Sequence, residues 1–148
     1  MDRLHKFWSL TRHEKGLLCE ASILLFLSNA CVKTIPFRYI DRFLRRLNDD
    51  IQSGVDDEQE STLVQRSISR ATNVLPWNIP CLSRSIAEFI MLRRRGIPAV
   101  IFAGVRLSGL SSLDAHAWVE TGLGGDEKRS ENSSFAAVIR IGTEAVDR

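Results

Sequence analysis

The order of the sequence patterns predicts an α+β fold, with N-terminal helices, one further helix, and then a small antiparallel sheet packed on them. Three observations carry this prediction. Up to residue 95, apolar residues recur mainly at helical spacing. After it come three short stretches rich in β-branched and apolar residues, separated by Ser- and Gly-rich segments. The chain has 148 residues, 44% of them hydrophobic and 26% charged, a soluble globular profile with enough length for one real core.

Thr11 opens the first helix as N-cap, with Glu14 three residues on in a capping-box pattern. This helix is expected to reach about Thr34. Its apolar residues (Leu17, Leu18, Ile23, Leu24, Leu25, Phe26, Leu27) cover nearly the whole circumference, so it should be largely buried. Pro36 ends it. Residues 37–47 form an amphipathic second helix, with Phe37, Ile40, Phe43, Leu44 and Leu47 on one side and arginines on the other. The acidic stretch around Gly54 reads as a linker or surface loop. Leu63, Val64, Ile68 and Ala71 mark a third helix that Pro76 stops.

A fourth helix spans residues 81–95, with Leu82, Ile86, Phe89, Ile90 and Leu92 as its buried face. Arg93, Arg94 and Arg95 fall in its last turn, where the macrodipole favours cations, and Gly96 is a natural stop. That predicts a solvated helix end rather than a nucleic-acid patch. "IPAVIFAGVR", "LDAHAWVET" and "FAAVIRIG" are the three strands, and "GLGGDEKRSENSS" is a polar loop between the last two. The chain thus divides into an N-terminal helical segment (1–48), an acidic linker or loop (49–61) and a core (62–148), within one compact domain.

The net charge of +2 is too small to argue for nucleic acid or an anionic membrane. Three cysteines do not make a disulfide framework. Twelve helical residues would hold Cys19 and Cys31 roughly 18 Å apart, beyond disulfide reach. A reducing cytoplasm is the simplest setting. At the N-terminus, Glu14, Lys15 and Glu20 interrupt any signal-like pattern, and no small-residue cleavage site follows. The apolar run 21–32 falls short of the ~20 residues of a membrane span. It reads as a core or partner-facing helix, with a shallow membrane contact as the alternative.

Chemistry concentrates at two residues. Cys81 follows Pro80 at a helix start, where unpaired N–H groups and the macrodipole favour a thiolate and offer donors for an oxyanion. His116 lies in the second strand and is the one histidine outside the first 13 residues. A histidine beside a thiolate holds it as an ion pair and later protonates a leaving amine. The same residue types also fit a small buried thiol and a hydrogen-bonded core histidine. One Cys and one His, even with Asp114, do not form a zinc spacing, and "GLGG" lacks the residues of a phosphate loop. No cofactor is expected.

The stretches "LPWNIPCLSRSIAEFIMLRRRGIPAVIFAGVR" and "LDAHAWVE" together resemble the transglutaminase-like, papain-like cysteine-peptidase core. More narrowly, they resemble the leader peptidases of lasso peptide gene clusters, the transglutaminase-like B proteins. "HEKGLLCEASILLFL" and "PFRYIDRFLRRL" are similar to that family's N-terminal helices, so the likeness covers nearly the whole chain, least around residues 49–61. The resemblance implies a peptidase that removes the leader from a ribosomally made precursor peptide. An ATP-dependent macrolactam synthetase then closes the ring, and a small leader-binding recognition-element protein presents the precursor. The chain looks like the stand-alone peptidase, without that recognition element. Cys81 matches the family's nucleophile and His116 its base. Asp126 is the choice for the third member. Glu120 and Asp114, which share the His116 face of a regular strand, remain alternatives, as do Asn132 and a backbone carbonyl. Trp77 and Trp118 either line the substrate groove or pack the core. Two rival functions stay open: a deamidase or cross-linker on the same core, and a non-catalytic scaffold for precursor and cyclase.

Overall fold

A computed structural model describes residues 10–50, 58–108, 112–121 and 134–142. Four helices and three strands follow one another: α1 (Arg12–Thr34), α2 (Phe37–Asp50), α3 (Glu58–Val74), α4 (Cys81–Arg94), β1 (Ala99–Ser108), β2 (Ser112–Thr121) and β3 (Ala136–Gly142). The α+β class is as the patterns predict. The acidic segment is shorter than expected, because α2 runs on to Asp50 and α3 already starts at Glu58. Glu58 and Glu60 sit in the first turn of α3, where negative charge is favourable.

The start of α1 is a complete capping box. The Thr11 hydroxyl accepts from the Glu14 N–H, and the Glu14 carboxylate accepts from the Thr11 N–H at 3.0 Å. These hydrogen bonds, the backbone one first, hold Glu14 below the ordinary glutamate pKa. The expectation that α1 is buried all round is corrected. Leu17, Ala21, Leu25 and Ser28 form a buried stripe against α3 and α4, whereas Ile23, Phe26 and Leu27 are 60%, 56% and 49% exposed. Two helices cover one side of α1, and its other side faces outward among the described residues.

Helix α4 is the centre of the molecule. It packs against α1, α2, α3, β1 and β2. Ser83, Ile86, Ala87, Phe89, Met91 and Leu92 are all buried on it, nearly around its circumference. It ends in a Schellman motif: Gly96, at φ 74°, donates to the Arg93 carbonyl and Ile97 donates to the Leu92 carbonyl.

The arginine run in its last turn is not the solvated end expected from charge alone. Arg93 is 1% exposed, the largest fully buried side chain, and its burial pushes the guanidinium pKa down. Burial acts the same way on Arg95, but Glu20 and Glu60 outweigh it and raise the pKa. Arg95 Nη2 meets Glu20 Oε2 at 2.5 Å, and Nε meets Glu60 Oε1 at 3.0 Å. Arg94 also reaches Glu20, at 3.0 Å. The run ties α4 to α1 and α3, and the partners lie too far away in sequence for local pattern to show them.

The sheet has the order β2-β1-β3, with both pairings antiparallel. Opposed residues share a face. Ala99, Ile101 and Ala103 of β1, with Thr121, Val119 and Ala117 of β2, make the helix side. Ile101, Val119 and Ile141 join the helices in the core. The other face carries Phe102, Gly104, Trp118 and His116.

Candidate active site

Cys81 is the first residue of α4 and is partly buried. Its N-cap is Pro80, at φ −58° and ψ 149°, and no side chain caps this end. The Pro80 carbonyl accepts from the Arg84 N–H at 3.1 Å, the first intrahelical bond. The amides of Cys81, Leu82 and Ser83 therefore have no partner within the helix. Ser83 is fully buried, and its hydroxyl has no hydrogen-bond partner among the described residues. The chain enters extended because proline fixes φ near its helical value and prefers a polyproline-like ψ.

His116 pairs with Gly104 across β1 and β2. Its imidazole stacks on Trp118 with ring centroids 5.9 Å apart and planes 15° from parallel. Trp118 in turn stacks on Phe102 at 5.7 Å and 18°. Phe135 tilts against His116 at 5.3 Å, and the Arg106 guanidinium lies 4.5 Å from the centre of the Phe135 ring. Glycine is needed at 104. A Cβ there would stand 2.8 Å from the Ala136 carbonyl oxygen and 3.1 Å from Trp118 Cη2.

The acids near His116 have other partners. Trp118 Nε1 donates to Glu120 Oε1 at 2.9 Å, and Arg106 bonds Asp114 at 3.3 Å. Asp126 and Asn132 lie outside the described residues. Trp77 meets Phe26 of α1 edge-on, with centroids 6.1 Å apart. The structure thus brings His116, Trp118 and Glu120 together and sets Trp77 apart, on the exposed side of α1. Helix α4 lies against β2, but among the described residues no hydrogen bond joins Cys81 to His116. Ala117 and Val119, the neighbours that alternate with His116 and Trp118, are the β2 residues turned into the core.

Phe102 and Phe135 belong to this ring cluster and were not singled out from the sequence. The alternation of β1 puts Phe102 on one face, but only the cross-strand register sets it opposite Trp118. Among the described residues no three His, Cys, Asp or Glu side chains come together as a metal site.

Cys81 thus opens the central helix, and His116 lies on a strand that packs on that helix, with its ring on the opposite face of the sheet. A family model described as the transglutaminase-like superfamily matches residues 29–140, and the chain belongs to that superfamily. No curated protein and no solved structure matches the chain.

Proposed function

We propose that this protein is a cysteine peptidase that removes the leader from a lasso peptide precursor and so prepares the core peptide for macrolactam closure by a partner cyclase. The observation that carries the reading is Cys81 at the uncapped start of α4, in a helix that packs on the His116 strand and within the region that matches the superfamily. The "AHAWVE" and "GIPAVIFAGVR" stretches support the narrower lasso assignment.

In the proposed reaction the Cys81 thiolate attacks the carbonyl at the leader–core junction. The amides at the start of α4 hold the oxyanion. The C–N bond breaks, the imidazolium of His116 gives its proton to the departing core amine, and the leader remains as a thioester. Water then attacks the thioester, passing a proton to His116, and hydrolysis frees the leader acid and restores the thiol. The first step requires the His116 ring within hydrogen-bond reach of Cys81 Sγ in the substrate complex. Asp126 is the proposed orienter of the imidazole, and Trp77 and Trp118 the proposed walls of the groove. No cofactor takes part. The proposed partners are the precursor, a small leader-binding recognition-element protein and the ATP-dependent synthetase, but no nucleic acid. The proposed location is the cytoplasm, with membrane contact through α1 as the alternative.

Mass spectrometry of the precursor, incubated with this protein and the recognition element, tests the reading. Wild type is expected to give leader and core fragments, and Cys81→Ala only intact precursor with an unchanged circular dichroism spectrum. Cleavage at the wild-type rate by Cys81→Ala would remove Cys81 from the mechanism. The superfamily match also favours a second reading, deamidation or cross-linking, whose product is an intact chain with an amide converted to acid or joined to an amine.

A further inference from the structure

Glu120 lies on the same face of β2 as His116 and Trp118, since alternate residues of a strand share a face. All three are half-buried. Among the described residues no hydrogen bond joins Glu120 to His116. The Glu120 carboxylate instead accepts from the Trp118 indole N–H at 2.9 Å. Asp114, two residues before His116 on this face, is held by Arg106. Arg140 of β3 lies over Phe102, its guanidinium 5.8 Å from the ring centre.

Trp118 is the group through which Glu120 can reach the imidazole. Its ring stacks on both Phe102 and His116. Its Cη2 edge reaches over Gly104, where a Cβ would stand 3.1 Å away. Stacking fixes the plane of a ring but says little about its flip about χ2, a torsion with two broad wells. The hydrogen bond from Nε1 is directional, and it is made in one flip only. Turning the indole over would take Nε1 from Glu120 and present a different edge to Gly104 and to the imidazole. The Glu120 bond therefore selects one placement of the Trp118 ring, and the His116 ring rests against it.

We propose that Glu120 is a positioning residue for His116 and acts through the Trp118 indole, not on the imidazole itself. What it supplies is an acceptor, so a neutral amide oxygen serves as well as a carboxylate. This role rests on the reading of His116 as the base. A base displaced by about an ångström loses rate steeply.

Nuclear magnetic resonance of the imidazole and indole nitrogens in the full chain tests the coupling without substrate. The chain has three histidines and three tryptophans, and His116→Gln and Trp118→Phe assign the signals needed. Glu120→Ala is expected to move the His116 ring signals and to speed solvent exchange of the Trp118 indole N–H. Glu120→Gln is expected to leave both close to wild type. In a Trp118→Phe background, which keeps a ring for the stack but lacks the N–H, Glu120→Ala should no longer move His116. Glu120→Val, whose side chain suits a strand, replaces the alanine variant if that does not fold. His116 signals unmoved by Glu120→Ala would overturn the proposal. So would equal movement with and without the Trp118 N–H, or equal movement for Gln and Ala, since either result means that the carboxylate charge acts directly.

Cleavage of the precursor in the presence of the recognition element reads the consequence. Glu120→Ala is expected to cleave at least about tenfold more slowly than wild type, and Glu120→Gln to keep most of the rate. A wild-type rate for Glu120→Ala would overturn the positioning role even where the His116 signals move. Wild-type cleavage by His116→Ala would instead overturn the reading of His116 as the base, and the role with it, while the coupling seen in the spectra would stand.

Discussion

Arg93 shows how one residue can serve the core rather than the surface. Its side chain is 1% exposed, so the guanidinium is held almost completely out of water. Burial of this kind is costly, which is why its pKa falls. The balance predicts unequal outcomes for two substitutions. Arg93→Ala should lose about 2–5 kcal/mol in urea unfolding, as other large-to-small core changes do. Arg93→Met, which keeps most of the volume but gives up the guanidinium's own interactions, should cost less than Arg93→Ala but not nothing. Equal losses would mean that hydrogen bonds rather than packing hold the site. Legibility also differs residue by residue. Cys81 and His116 could be singled out because a thiol at a helix start and a lone strand histidine are local signals. Burial of Arg93 could not, because it depends on helices that approach from elsewhere in the chain.

At the scale of elements, the two ends of the helical layer are set by short-range rules. Glu14 closes the capping box of α1, and its folded pKa is depressed. Its stabilising effect is therefore complete above the ordinary glutamate pKa and fades as pH falls through the depressed value. Glu14→Gln is expected to flatten the acid side of the melting-temperature profile and to leave the alkaline side unchanged. An acid limb identical to wild type would show that the carboxylate contributes nothing to folding. In the sheet, Gly104 occupies the point where β3 shifts register against β1. Gly104→Val should force the Ala136 backbone or the Trp118 ring to move, at a cost of about 1–3 kcal/mol. Tryptophan emission is the readout, because Trp118 is stacked between Phe102 and His116. A variant with wild-type emission and stability would contradict this close approach. The strand positions themselves were legible from β-branched runs, but the bulge and the register were not.

At the scale of the whole molecule, α1 has two possible environments. It is long and apolar enough to cross a membrane, with 28% of its most apolar stretch buried in this fold. The apolar run 21–32 alone is too short, and the full helix Arg12–Thr34 is what meets the length. Leu17, Ala21 and Leu25 nevertheless pack into the common core, so withdrawing α1 into lipid would strip one side of α4. Ile23→Lys combined with Leu27→Lys changes only the outward side. This double variant is expected to keep the melting temperature within a degree or two and to reduce aggregation of the purified protein. A large drop in melting temperature would place those residues inside the fold after all.

The ends of α1, the Thr11 cap, the start of α4 and the Gly96 stop were readable without coordinates, since each depends on residues within a turn or two of one another; the α+β order was readable from the change of apolar period along the chain. So was the superfamily, through stretches on either side of Cys81 and before His116. Three features came only with tertiary structure: which side of α1 is covered, the partners of Arg95, and the rings gathered around His116. Each is set by contacts between elements distant in sequence. A helical wheel shows that a side is apolar, but only the neighbouring helices decide whether water is removed from it.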